Sequence, residues 1–138
     1  MKAKKIAELK TNYSFEAPFL NASKSAEDNN YDEKTSLDLN KFMAPEPGNI
    51  YLVRVNGESM IDENIFHGDI LVVNKDEKPK DGKVVIAALN GEMAVKTYRK
   101  IDGKVYLVSA NKNFLPIEIK PFWNFEIQGV VKYVIHDV

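Results

Sequence analysis

From residue 50 onward, short apolar runs rich in valine, isoleucine and aromatic side chains alternate with turn residues. Such runs are typical of β-strands. Seven strands are predicted, at Ile50–Val55, Ile70–Val73, Val84–Leu89, Met93–Tyr98, Val105–Val108, Ile117–Ile119 and Phe125–Ile135. Asn90-Gly91 and Asp102-Gly103 each join two of the runs, and both dipeptides favour the tight turns of antiparallel hairpins. The pattern predicts a mostly β protein with an antiparallel, partly closed barrel or sheet.

The first 47 residues lack glycine-containing turns of this kind, because none of the seven glycines lies among them. Residues 25–40 carry five acidic side chains against one lysine and contain few large apolar residues. Such a stretch cannot offset the entropy lost on ordering, which predicts a flexible arm. Ser36 is predicted to cap a short helix over Leu37–Phe42. We therefore expect residues 1–35 to form an N-terminal arm and residues 36–138 to form one folded body.

Composition narrows the classes of function. Nineteen Lys and Arg residues against 20 Asp and Glu residues give a net charge of −1, which argues against direct DNA binding. The absence of cysteine excludes disulfides and thiol nucleophiles, and a reducing cytoplasm is the expected compartment. The two histidines are far apart in sequence, so we expect no metal site. No apolar run is long enough for a membrane span, so no membrane contact is expected.

Ser59 is a residue that could carry chemistry. It follows a predicted strand within Gly57-Glu58-Ser59-Met60. A sharp turn there would leave backbone N–H groups free to bind an oxyanion. A serine after a glycine is also a common turn or capping residue, so the motif alone leaves both roles open.

A serine nucleophile needs a base. A triad of Ser59 with His67 and either Asp69 or Asp62 is one possibility. A lysine held neutral by burial is another, because desolvation lowers the pKa of an ammonium group. Lys96 lies in the middle of a predicted strand. Solvated lysines are common in strands, however, and spacing alone does not select this one.

Six stretches of the chain follow one another in a fixed order: Val55–Asp62, His67–Val73, Lys83–Ala88, Gly91–Lys96, Asn111–Ile117 and Gly129–Val131. Together they resemble the serine segment, the lysine segment, the Asn-aromatic-Pro-Ile motif and the last strand of the LexA/UmuD family of self-cleaving Ser-Lys peptidases. The resemblance implies the C-terminal-domain fold of that family, with Ser59 as the nucleophile and Lys96 as the general base. It also implies an oxyanion hole of backbone amides near Ser59, with Glu58 and Met60 as neighbours.

The same resemblance implies a substrate. Within the family the short arm is more similar to UmuD than to the longer repressors, and Asp38-Leu39-Asn40 matches UmuD's Asp-Leu-Asn stretch. Phe19–Ser23 is similar to UmuD's cleavage segment, so Ala22–Ser23 is the candidate scissile bond in the arm. Ala26–Glu27 is an alternative. The family usually cuts before glycine, a position taken here by Ser23.

The implied function is that of an SOS-mutagenesis protein. A RecA filament on single-stranded DNA would stimulate self-cleavage. The processed homodimer would then serve a UmuC-like, Y-family translesion DNA polymerase as an accessory subunit. No cofactor is implied. Two alternatives stay open: a non-catalytic dimeric interaction module whose arm packs uncut, and a LexA-like or phage-repressor-like regulator that lacks a DNA-binding domain.

Overall fold

The computed structural model describes residues 2–8, for which only the path of the backbone is given, and residues 15–18 and 36–138. These residues form one α-helix and ten strands. In chain order the elements are β1 Lys2–Glu8, β2 Glu16–Pro18, β3 Ser36–Asp38, α1 Leu39–Met43, β4 Ile50–Asn56, β5 Ile70–Asn74, β6 Val84–Leu89, β7 Glu92–Ile101, β8 Lys104–Val108, β9 Ile117–Glu118 and β10 Phe125–Ile135. No helix in these ranges is long and apolar enough to cross a membrane.

Eight strands form one antiparallel sheet in the order β1-β4-β5-β10-β6-β7-β8-β9. β1 also pairs with β7, where Lys2 is the Cα partner of Ala94. The first six strands of that order therefore close into a ring. β8 pairs with the second half of β7 and continues the sheet beyond the ring, together with β9. The predicted mostly β, partly closed barrel is confirmed.

The seven strands predicted from the sequence are present, with ends within three residues of those expected. Asn90 and Gly91 have φ angles of 52° and 81°, and Asp102 and Gly103 have φ angles of 51° and 76°. Two consecutive positive φ angles define the type I′ turn, which Asn-Gly and Asp-Gly adopt readily. These two turns set the pairing of β6 with β7 and of β7 with β8.

The helix begins later than predicted, and the prediction of Ser36 as its cap is wrong. Ser36 belongs to strand β3, which pairs with β2. Asp38 caps the helix instead, because its carboxylate accepts hydrogen bonds from the amides of Asn40 and Lys41 at 3.0 and 3.4 Å. The same carboxylate accepts a hydrogen bond from the Phe15 amide at 3.1 Å. One side chain thus serves both the helix and the neighbouring strand pair.

Two stretches of the predicted arm form strands that the sequence pattern did not indicate. β1 lies in the large sheet beside β4, and β2 pairs with β3. The sequence of β1, KAKKIAE, has one large apolar residue and no alternating pattern. Its strand conformation follows from pairing with the open edges of β4 and β7, since such edges offer unpaired backbone groups.

Two of the three buried apolar clusters of the described residues pack on opposite faces of the sheet. The first includes Val53, Met60 and Val95, all fully buried. The second includes Tyr98 and Leu107. Because successive residues of a strand point to opposite faces, the clusters fix which side chains of β7 face inward and which face outward.

Candidate active site

Ser59 lies in the turn that follows β4. Gly57 begins the turn with a φ angle of 109°, which favours glycine. The chain then winds into a 3₁₀ turn, in which the Ile61 amide donates to the Glu58 carbonyl at 3.3 Å. Ser59 is 1% exposed, and its Oγ finds no hydrogen-bond partner among the described residues. Among those residues Thr97 Oγ1 is a second buried hydroxyl oxygen without a partner, and Lys96 is not bonded to Ser59.

Lys96 lies in the first half of β7, which pairs on one side with β6. Its side chain is half-buried, and burial lowers the pKa of the ammonium group. Nζ donates a hydrogen bond to Ser109 Oγ at 2.5 Å and lies 5.7 Å from the centroid of the Phe114 ring. A lysine that loses its proton more readily than usual is suited to act as a general base.

Residues 109–111, which follow β8, form a bridging segment between the two candidate residues. The Ala110 amide donates to Met60 Sδ at 3.2 Å, and the Ala110 carbonyl accepts from the Asp62 amide at 2.7 Å. Met60 in turn shares a buried cluster with Val95, the residue before the candidate base. The turn after the candidate nucleophile is therefore fixed to both the bridging segment and the core.

The ends of the bridging segment reach both sides of the site. Ser109 bonds to Lys96, and Asn111 Nδ2 donates to the carbonyl of Glu58 at 3.1 Å. Glu58 directly precedes Ser59. Three consecutive residues thus contact Lys96 at one end and the residues flanking Ser59 at the other.

Asp69 contacts His136, whereas the predicted triad would require it to contact His67. The Asp69 carboxylate is 3% exposed, accepts a hydrogen bond from the Phe66 amide at 2.8 Å and lies 2.6 Å from His136 Nδ1. His67 Nδ1 accepts a hydrogen bond from the Gly57 amide at 3.2 Å. This arrangement does not support a triad that couples His67 to Asp69.

A cavity of about 240 Å³ opens beside Lys96, and its walls come from β6, β7, β8 and β9. Its other lining residues are Ala87, Leu89, Glu92, Met93, Ala94, Leu107 and Ile117. Because this lining is mostly apolar, the cavity suits an apolar side chain of a bound peptide. Within the described ranges, no group of three or more His, Asp or Glu side chains could hold a metal ion.

Sequence reasoning missed Ser109, which is 7% exposed and bonds to Lys96. The only signal was its position two residues before Asn111, the first residue of the Asn-aromatic-Pro-Ile motif. The candidate bond Ala22–Ser23 and the alternative Ala26–Glu27 lie outside the described residues. They stay predictions.

A family model described as "Peptidase S24-like" matches residues 19–132. The chain belongs to this family. It is 36% identical over 89 residues to the LexA repressor of Stenotrophomonas maltophilia (strain R551-3) and to that of Xylella fastidiosa (strain M12). It is 35% identical over 89 residues to LexA repressor 2 of Xanthomonas axonopodis pv. citri (strain 306). Each alignment covers 64% of this chain and 41% of the relative, so the chain spans less than half the length of these relatives.

Membership of the Peptidase S24-like family confirms the resemblance to LexA/UmuD proteins that the motifs gave. It also agrees with the mostly β architecture observed here. The nearer likeness to UmuD stays a prediction, as do the catalytic roles of Ser59 and Lys96.

Proposed function

We propose that the chain is a UmuD-like SOS protein that cleaves its own N-terminal arm with Ser59 and Lys96. The observation that supports this most strongly is the bridging segment, which bonds to Lys96 and to both flanks of Ser59. A serine hydroxyl group and a lysine with a lowered pKa are the two groups that a Ser-Lys peptidase requires.

In the proposed reaction, neutral Lys96 accepts the proton of Ser59 Oγ while that oxygen attacks the carbonyl carbon of Ala22. Backbone amides beside Ser59 bind the resulting oxyanion. Lys96 then returns the proton to the amide nitrogen of Ser23, and the Ala22–Ser23 bond breaks. A water molecule then attacks the acyl ester left on Ser59 and passes a proton to the same lysine. That proton moves to Ser59 Oγ as the ester bond breaks and the carboxyl group of Ala22 is released.

The substrate proposed for this site is part of the same chain. A tethered peptide has a high effective concentration, which compensates for a weakly activated nucleophile. Phe19 and Leu20 precede the candidate bond, and the apolar cavity beside Lys96 suits one of these side chains. Sequence and site together favour the arm as substrate.

The proposed partners follow from the likeness to UmuD. A RecA filament on single-stranded DNA would stimulate cleavage by favouring the arm-docked conformation. The processed protein would act as a homodimer on a Y-family translesion DNA polymerase. Co-purification of the processed chain with such a polymerase tests this role.

The cleavage reaction can be followed by intact mass of the full chain at mildly alkaline pH, with and without activated RecA. The expected products are residues 1–22 and residues 23–138. Ser59→Ala and Lys96→Ala should yield neither product. Lys100→Ala, an exposed position on the same strand, should behave like the wild type. Release of no arm fragment under any condition, or cleavage by Ser59→Ala, contradicts the proposal.

A second candidate is a regulator of the repressor type, which the names of the LexA relatives favour. Binding of the purified chain to an SOS operator in a gel-shift assay would support it. The net charge of −1 disfavours direct contact with DNA, because such contact relies on neutralising phosphates.

A further inference from the structure

We propose that residues 2–8 act as an autoinhibitory strand, because they fill the cleft that a scissile peptide must enter. We define the strand cleft as the gap between β4 and the first half of β7, residues 92–96. This inference rests on the proposed function, since it concerns access to Ser59 and Lys96.

The register of β1 places its beginning opposite residues that lie two or three positions before the candidate catalytic residues. Lys2 is the Cα partner of Asn56, the last residue of β4, and Asn56 lies three residues before Ser59. Lys2 is also the Cα partner of Ala94, two residues before Lys96. The backbone of β1 therefore runs between the two strands that lead to the site.

The strand cleft has the geometry of a site for an extended peptide. β4 is paired on its far side with β5, and the first half of β7 is paired on its far side with β6. The two remaining edges face one another across β1. Open strand edges bind extended peptides through backbone hydrogen bonds, and each edge accepts one strand at a time. A peptide lying along these edges would displace β1.

Two segments of the same arm thus compete for one cleft. The candidate scissile segment, residues 19–23, lies eleven residues beyond the end of β1 in the sequence. The pairing of β1 with β4 shifts register between Lys5 and Ala7. Such an irregularity interrupts the ladder of backbone bonds at that point. Release of β1 would then be the step that permits cleavage.

A reversible crosslink tests this competition within one protein. The chain contains no cysteine, so a pair introduced as Lys4→Cys and Arg54→Cys reports on a single contact. These positions are Cα partners in β1 and β4, and Arg54 is exposed. Oxidation fixes β1 in the strand cleft, and reduction allows it to leave. The oxidised form should cleave itself roughly tenfold or more slowly than the reduced form, because the tethered strand always outcompetes the substrate segment.

The matched control is a second disulfide outside the strand cleft. Ile101→Cys with Lys104→Cys joins β7 to β8 at two exposed Cα partners. Its oxidised and reduced forms should cleave at the same rate. Equal rates for the oxidised and reduced forms of the cleft pair would overturn the inference.

A binding measurement separates this inference from the proposed function. The cleft pair is placed in the Ser59→Ala chain, and a fluorescent peptide with the sequence of residues 15–27 is added in trans. Anisotropy should show that the peptide binds to the reduced form. Its affinity for the oxidised form should be lower by roughly tenfold or more. Equal affinity for the two forms, or binding to neither, overturns the inference. Binding to the reduced form without any Ser59-dependent cleavage leaves the inference standing and refutes the peptidase proposal.

Discussion

Five strands of the ring, β4 to β7 and β10, are built differently from the described part of the N-terminal region, which includes β1. In the ring, the residues next to Ser59 and Lys96, namely Met60 and Val95, are both 0% exposed and belong to one cluster. β1, in contrast, closes the ring through backbone pairing with β4 on one side and with β7 on the other. The strand pair of β2 and β3 is fastened to α1 through hydrogen bonds to Asp38.

This difference separates the candidate catalytic groups from the segments proposed to control access to them. Close packing fixes the positions of side chains to a fraction of an ångström, as a nucleophile and its base require. The backbone hydrogen bonds that β1 makes with its neighbours can be exchanged for bonds to another strand at little net cost in free energy. Changes in the ring should therefore alter chemistry or global stability, whereas changes in the N-terminal region should alter local order and access to the site.

Replacing Lys96 with methionine should have the largest effect on the cleavage rate without lowering the free energy of unfolding. The cleavage rate is expected to fall by roughly 10²–10⁴-fold, because a thioether cannot accept the proton of Ser59. The free energy of unfolding should be unchanged or higher, because burial disfavours the ammonium group that is removed. Intact-mass kinetics and urea denaturation measure the two quantities, with Lys100→Met as the control. A large loss of stability in Lys96→Met would contradict the inference that burial disfavours the ammonium group of Lys96.

The same substitution should change how stability depends on pH. The pKa of Lys96 is lower in the folded chain than its ordinary value of 10.5, so the folded state releases this proton first as pH rises. The wild type should therefore gain stability between the lowered pKa and the ordinary value. Urea denaturation of wild type and Lys96→Met across this range should show that gain in the wild type alone.

Removing the hydroxyl of Ser109 should have a smaller effect on catalysis. In Ser109→Ala the maximum rate should fall roughly tenfold, because Nζ of Lys96 loses a hydrogen bond that holds it in place. The midpoint of the pH–rate profile should move to lower pH, because the ammonium form loses an acceptor. Ser109→Thr keeps a hydroxyl group and should retain most of the rate. An unchanged profile in Ser109→Ala would show that this contact has no part in the reaction.

A side chain at position 129 should weaken the ring without touching the site. An added Cβ would lie 2.5 Å from Val73 Cγ1 and 2.9 Å from the Asn74 carbonyl oxygen. Gly129→Ala should therefore lower the free energy of unfolding by about 1–3 kcal/mol, measured with urea. Gly48→Ala is the control, because nothing lies within 4 Å of its added Cβ. Equal stability of the two variants would contradict the close approach of β5 and β10.

The smallest effect is expected at Asp38. Asp38→Ala should speed hydrogen exchange in residues 15–18 and 36–43 and leave the urea transition of the ring nearly unchanged. The hydrogen bond from the Phe15 amide is the main cause that lowers the pKa of Asp38 below its ordinary value of 3.8. The stabilisation is thus present above that value and is lost as pH falls through the lowered pKa. Asp38→Asn, which can still cap the helix, should exchange more slowly than Asp38→Ala.

The strands of the ring could be predicted because their signals are local. Apolar runs and the turns at Asn90-Gly91 and Asp102-Gly103 act within a few residues, and each appears where expected. The cap at Ser36 was mispredicted because Asp38 competes for the same role two residues later. Local sequence therefore indicates the seven strands from β4 to β10, and nearby polar side chains decide where the helix begins.

The remaining features depend on which strands become neighbours. The bond between Lys96 and Ser109 arises because β7 and β8 are paired, and the contact of Asp69 with His136 joins residues 67 positions apart. β1 takes its conformation from the edges of β4 and β7, so its lysine-rich sequence gave no sign of a strand. Such contacts follow from topology, which single-sequence patterns do not determine.

The most direct test of the account is the pH dependence of arm release by the wild type and by Lys96→Arg. If Ser59 attacks with Lys96 as its base, the wild-type rate should rise about tenfold per pH unit and level off below 10.5, the ordinary pKa of lysine. Lys96→Arg should show no such rise, because a guanidinium group keeps its proton throughout this range. A wild-type rate that does not change with pH, or the same profile in Lys96→Arg, would contradict the account.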